Sequence, residues 1–376
     1  MDHDESIGIA TPKARVVGSG HRAIVRTGDL AWVGSHAAPT GDVRTGARST
    51  IAAIGVALAS EGLGLTDLVR LGVYHDSRVD PESARAAVRD ALPADARPVV
   101  NVLGVREPGL PGAAFAIDAA AARGARSSVG DGSFPAAVRV GDRIWTAGVS
   151  GSGDGILEQT RAAITRLTAL AERSGAARDD CVKMNIGYIG DGSEADWEPT
   201  AKVRGAAFRE PAAAATGIPF PRLPDGALTV LETLSVAGSW GSRRHGWPEG
   251  HWDWPIHLPW KHACRAGDLV TVGGQVSLRG RGEVVDPGDL GAQTVTALGN
   301  IERCLATVDA RMSDVVQITA FFEGSANDLE TILAHTRAAF GTRPPPIVPV
   351  PLPFLAYREM VVEIEVIAVA RSRVMP

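Results

Sequence analysis

Two glutamates, Glu363 and Glu365, stand in the apolar run Met360-Val-Val-Glu-Ile-Glu-Val-Ile near the end of the chain. A strand alternates its side chains, so both carboxyls share one face, opposite Ile364. A carboxyl among apolar neighbours can serve as a general acid or base, whereas one on an open face is only solvated. The other reactive types point to less. Cys181, Cys264 and Cys304 form no CxxC pair and have no evident activating partner, so they read as buried free thiols. His245, His251, His257 and His262 follow neither HxxxH nor finger spacing, and no metal site is expected. No GxGxxG follows a strand and no GxxxxGK[ST] occurs, so no nucleotide cofactor is expected.

The 376 residues are 45% hydrophobic and 22% charged, which suits a folded chain of two or three domains. A net charge of −5 leaves no basic surplus for a phosphate backbone, which argues against nucleic acid as a partner. No apolar run reaches membrane-span length, and the start MDHDESIGIATPKAR lacks the basic-then-apolar order of a secretory signal. A cytoplasmic protein without a membrane partner is expected.

The elements that would position the glutamates recur along the chain. A Gly-Asp turn before a short apolar strand appears at Gly28-Asp29, Gly141-Asp142 and Gly267-Asp268. Each is followed by a helical apolar pattern (Ile51, Ile54, Leu58; Ile164, Leu167, Leu170; Leu298, Ile301, Leu305). Strands then begin at Asp67-Leu-Val-Arg, Asp180-Cys-Val-Lys and Asp314-Val-Val-Gln. The third spacing is longer by an insertion in the polar loop 277–290, which a loop absorbs cheaply. A second helix follows in each copy, then closing strands that carry Asp118, Glu232 and Glu365 in one register. The reading is α+β: three tandem units at 12–123, 133–239 and 253–372, each a sheet with two helices, joined by linkers near 123–132 and 239–253. Cyclic symmetry would close three such units into an intrachain pseudo-trimer, with a string of independent beads as the alternative.

The pattern resembles the RidA/YjgF family, most closely through AIVRTGDLAWVGS, LTDLVRLGVYHD and ADARPVVNV in the first unit. GDLVTVGGQVS, ALGNIERCL and VVEIEVIAVA carry it in the third. The resemblance implies chorismate-mutase-like units around a β-barrel-like core, with ligand clefts at the seams. It implies deamination of enamines or imines by water without a cofactor, with an arginine clamping the substrate carboxylate and a glutamate positioning water. The matching arginine is Arg97, with Ala215 and Pro345 at the corresponding positions by counting. The matching glutamate is Glu363, with Ala116 and Val230 as its counterparts. A fork of guanidinium donors suits a carboxylate, and a carboxyl suits proton transfer. His21, Phe134 and Trp260 stand where the family places a cleft-lining aromatic.

Ala213-Ala-Ala-Thr216-Gly217-Ile and Val361-Val-Glu-Ile-Glu are also similar to stretches of chorismatases, whose glutamate acts as the acid. Thr216 and Gly217 could therefore approach a ligand, or form only a turn. The expected function is a water-adding enzyme for a small carboxylate-bearing enamine or imine, with one working cleft and two that are filled or structural. A chorismatase-like enol-ether hydrolase and a non-catalytic metabolite-binding protein are the alternatives. A monomer or a low-order homo-oligomer is expected.

Overall fold

The computed structural model describes residues 13–370, so the outermost positions of the expected first and third units lie outside the described residues. The first sheet contains β1 (Arg15–Val16), β2 (Ile24–Thr27), β3 (Leu30–Ala37), β4 (Leu68–Asp76), β5 (Val99–Val105) and β6 (Phe115–Ala122), with helices α1 (Val43–Ser60) and α2 (Pro81–Ala91). The second is built from β7 (Arg126–Val129), β8 (Ala137–Val140), β9 (Arg143–Thr146), β10 (Cys181–Ile189), β11 (Ala214–Phe220) and β12 (Thr229–Val236), with α3 (Ile156–Arg173) and α4 (Glu194–Ala207). The third holds β13 (Arg244–Gly246), β14 (Ala263–Ala266), β15 (Leu269–Gln275), β18 (Val315–Glu323), β19 (Ile347–Leu352) and β20 (Val362–Val369), with α5 (Leu290–Ala306) and α6 (Leu329–Phe340). A small ribbon, β16 (Leu278–Arg279) with β17 (Glu283–Val284), occupies the inserted loop.

Local chemistry explains these elements. The glycines of the three Gly-Asp turns, Gly28, Gly141 and Gly267, take φ of 60, 62 and 64°, a region costly for other residues. Asp42, Asp80 and Asp289 cap α1, α2 and α5 by accepting from the backbone N–H of Thr45, Ser83 and Ala292. In each sheet the last long strand lies between the other two: β3-β6-β4-β5, β9-β12-β10-β11 and β15-β20-β18-β19. The pairing of that strand slips at the same place each time, between Leu68 and Arg70, Cys181 and Lys183, and Val315 and Gln317. Such a bulge turns the residue after it, and it aims Arg70, Lys183 and Gln317 at the axis where the sheets meet.

At that axis the acids in one register meet the residues after the bulges. Arg70 donates to Asp118 at 2.7 Å and to Glu232 of the second sheet at 3.3 Å. Lys183 pairs at 2.8 Å with Glu365 of the third sheet. Gln317 donates to the Val33 carbonyl of the first sheet at 3.2 Å and also bonds Asp118. The contacts thus run from the first sheet to the second, the second to the third and the third to the first.

One expectation is corrected here. The core is not a closed barrel: the sheets remain three separate hydrogen-bonded paths. Side chains such as Trp32, Val69, Trp145, Val182, Leu269 and Val316 join them instead, with Gly34 pressed on Ile347 and Gly273 on Ala215 at the seams. The joining stretches also take part in the sheets. Arg126–Val129 pairs with β8 and Arg244–Gly246 with β14, so each joining stretch supplies an edge strand to the sheet that follows.

Candidate active site

Glu363 faces a cleft between the second and third sheets. On β20 it pairs with Phe321, the register held by Ala116 and Val230 in the other sheets, as counted from the sequence. Its side chain lies over Gly274 of β15, where any β-carbon would collide with the carboxyl. Tyr188, Trp197, Arg204, Trp252, Trp260 and Tyr357 surround it in a cavity of about 80 Å³.

Four of these side chains are buried with polar atoms that have no hydrogen-bond partner among the described residues. They are Arg204 through Nε and Nη1, Tyr188 through its hydroxyl, and Trp197 and Trp252 through Nε1. Arg204 is 4% exposed, and burial pushes its guanidinium down to about 10. Buried polar groups are normally satisfied, and a buried cation without a carboxylate costs several kcal/mol, of order 3–5. Such a cleft is suited to an anion with hydrogen-bond acceptors.

The two glutamates differ in protonation. Burial, reinforced by the charge of Glu365 and partly opposed by Lys183, pushes Glu363 up to about 8, so its carboxyl is neutral at pH 7. Burial works against ionising Glu365 too, but the Lys183 charge, with hydrogen bonds from Lys183, Thr216 and Asn185, overcomes it and holds that carboxyl low. One is a proton donor and the other a fixed anion.

The structure brings together only some of the expected site residues. Trp260 lines the cleft and packs on Phe208 of the second sheet's segment, ring centres 5.2 Å apart. Gly217 lines the wall, and Thr216 sits behind it on β11, accepting from Lys183 and from the Gly274 N–H, each at 2.8 Å. Arg97 does not join them. It is exposed just before β5 and donates to the Gly132 carbonyl at 3.1 Å. The strand pairing also shifts its counterparts to Ala212 and Pro344, because Val100, Ala215 and Ile347 pair with equivalent residues of β4, β10 and β18. Replacing Arg97 with Ala should leave turnover unchanged and move stability by no more than about 0.5 kcal/mol in urea unfolding.

His21 and Phe134 lie elsewhere. His21 bonds Thr336 of α6 at 2.9 Å, and burial pushes its imidazole down to about 4. Phe134 packs on the core of the first sheet. Each of the three aromatic positions therefore leans on a neighbouring segment, but only Trp260 does so beside the acid.

Arg204 had a legible signal that the pattern reading missed. Trp197, Ala201, Arg204 and Phe208 recur at helical spacing, and all four are buried, so the arginine occupies an apolar stripe. The histidines build a wall behind the cleft. His262 stacks on Trp254 with centres 5.1 Å apart and bonds the Trp252 carbonyl, while His251 bonds Gln275 at 2.9 Å. The cleft between the first and second sheets, expected to be filled or structural, is open. It holds a cavity of about 100 Å³ lined by Arg70, Asn101, Gly148, Val230 and Glu232, roomier than the Glu363 cleft but with Val230 where the acid would be.

Residues 255–370 match the family described as Endoribonuclease L-PSP. No curated protein matches the chain. Among solved structures, a chorismatase aligns over 81% of this chain and 93% of its own, with a TM-score of 0.57 and 16% identity. A YjgF/YER057c/UK114-family protein from Mycobacterium tuberculosis aligns over 29% of this chain and 85% of its own, at 28% identity and a TM-score of 0.26. The E. coli YjgF protein aligns over 34% of this chain and 99% of its own, at 25% identity and a TM-score of 0.30. Among the described residues no helix is long and apolar enough to cross a membrane. Residues 255–370 are thus similar to the L-PSP family, and the fold of the chain is similar to that of a chorismatase.

Proposed function

We propose that this protein is a cofactor-independent hydrolase that adds water to a small, unsaturated, carboxylate-bearing metabolite in the cleft between its second and third sheets. One observation carries the reading: Arg204, a buried cation lacking a carboxylate among the described residues, and Glu363, a carboxyl that keeps its proton at neutral pH, line one cavity. Arg204 anchors the substrate carboxylate and Glu363 supplies the proton. Aromatic side chains form the walls, which suits a planar substrate.

Of the two reactions, hydrolysis of an enol ether fits best. An enol ether needs a proton on its terminal carbon before water can attack the adjacent carbon, and a neutral carboxyl in an apolar cleft is such a donor. Glu363, now ionised, then takes a proton from the attacking water, and the hemiketal breaks down to a keto acid and an alcohol. Deamination of an enamine or imine is the second reading, favoured by the L-PSP match. An enamine would take the same proton on its terminal carbon, but a preformed imine asks the carboxyl to activate water as a base, which its neutral form does not. A ribonuclease role fits less well, since a single buried arginine among aromatics offers little to a polyanion.

Three copies of one module, at 12–123, 133–239 and 253–372, arranged as an intrachain pseudo-trimer, account for the shared strand order, the shared bulge and the cyclic axial contacts. The test is turnover, followed by mass spectrometry, of chorismate and of 2-aminoacrylate generated in situ. Arg204→Gln should raise KM about tenfold to a hundredfold, the loss of a charged hydrogen bond of about 1.5–3 kcal/mol, with a smaller effect on kcat. Absence of turnover of both compounds, or an unchanged KM in Arg204→Gln, would remove this assignment.

A further inference from the structure

Glu365 belongs to the axial network and also stands next to the cleft. It shares a face of β20 with Glu363, two residues away, with only Ile364 between them on the opposite face. The second sheet grips it from one side: Lys183 pairs with Oε2 at 2.8 Å, and the Asn185 amide donates to Oε1 at 3.0 Å. Thr216 completes the grip and also accepts from the N–H of Gly274, the glycine over which Glu363 lies. Lys183 bonds Thr216 and Asn185 as well, so this lysine orients every group that holds Glu365.

We propose that Glu365 is a positioning residue for Glu363: clamped as a permanent anion by the neighbouring segment, it keeps the proton on the cleft carboxyl without touching substrate. The inference rests on Glu363 being the acid of the proposed reaction. It explains why a lysine is buried at the axis where the third sheet has Gln317 at the equivalent position. The lysine holds Glu365 ionised, and Glu363, the buried carboxyl nearer the cleft, is the group that stays neutral even though the lysine's own charge partly opposes this. The charged or titratable groups facing Glu363 are Glu365 from its own strand, Lys183 and Tyr188 from β10, Arg204 from α4 and Tyr357 from the connection between β19 and β20. Of these, only Glu365 brings a negative charge at neutral pH.

The experiment is a pH-difference infrared titration of the full chain without ligand, reading the carbonyl stretch of protonated carboxyls. The band lost on subtracting Glu363→Gln from the wild type belongs to Glu363 and should vanish around pH 8. In Glu365→Gln the same band should vanish about one pH unit lower, while Glu365→Asp, which retains the anion, should stay within a few tenths of the wild type. An unmoved midpoint in Glu365→Gln overturns the inference. If that variant does not fold, the wild type and Glu363→Gln still decide: if no band in this window is lost in Glu363→Gln, Glu363 holds no such proton and the inference is overturned equally. Turnover separates the two claims. Activity surviving in Glu363→Gln defeats the reading of Glu363 as the acid, whereas a dead Glu363→Gln with an unmoved Glu365→Gln midpoint defeats only the role of Glu365.

Discussion

Glu363→Gln should lower turnover by about 10²- to 10⁴-fold while leaving the fold intact, because it removes the proton donor and keeps the shape of the side chain. The amide can still lie over Gly274, so nothing in the seam need move. Stability provides a second readout with a definite sign. The carboxyl of Glu363 rises from its ordinary 4.5 to about 8 in the fold, so the folded state prefers it protonated. Its contribution is fully present below about pH 4.5 and is lost as pH climbs through 8. The wild type should therefore lose stability relative to Glu363→Gln across that window, read as a difference in Tm that grows with pH. For the same reason, kcat of the wild type should fall as pH rises past 8, as the donor becomes a carboxylate. A Glu363→Gln enzyme with ordinary turnover, or a Tm difference independent of pH, would contradict this picture.

Lys183→Met carries the largest expected stability effect. Lys183 and Glu365 are both buried and face each other across the seam between the second and third sheets. Removing the lysine strands a buried carboxylate, which costs about 3–5 kcal/mol, a large part of the usual stability of a domain. Removing both charges is different, because an apolar pair of similar volume carries no desolvation penalty. The double variant Lys183→Met with Glu365→Leu should thus recover most of the loss, and urea unfolding of the two variants measures both effects. Arg70 has a second acid beside it, since it bonds both Asp118 and Glu232, so the asymmetry between single and double replacements should be sharpest at Lys183. Equal destabilisation of the single and double variants would show that the seam depends on packing rather than on charge.

Much of the arrangement was legible in the residues. Glycines at 28, 141 and 267 announced turns that need positive φ, and the common register of Asp118, Glu232 and Glu365 announced one acid at the same place on each closing strand. Short-range rules suffice there, because a turn depends on local backbone geometry and a strand's facing depends on a period of two. Glu363 and Glu365 are both visible as acids inside an apolar strand, and it is the family resemblance, not the strand pattern, that singles out Glu363.

The partner of that acid was not visible in this way. Arg97 satisfied the sequence pattern yet lies exposed against Gly132, whereas Arg204, about a hundred residues further on, shares the cleft. The counted counterparts of Arg97 slipped because the connection before each closing strand differs in length, and only the pairing with β4, β10 and β18 fixes the register. The stretch 239–253, rich in Trp and His, looked like a linker by composition, but it supplies a strand, and Trp252 forms part of the cleft wall. The sequence by itself determined which residues turn, which alternate and which acid sits among apolar neighbours, since those are properties of adjacent positions. Only the tertiary structure decided which arginine shares a cavity with that acid and which of the two glutamates is favoured to keep its proton, because burial and counter-charge come from segments brought together across a seam.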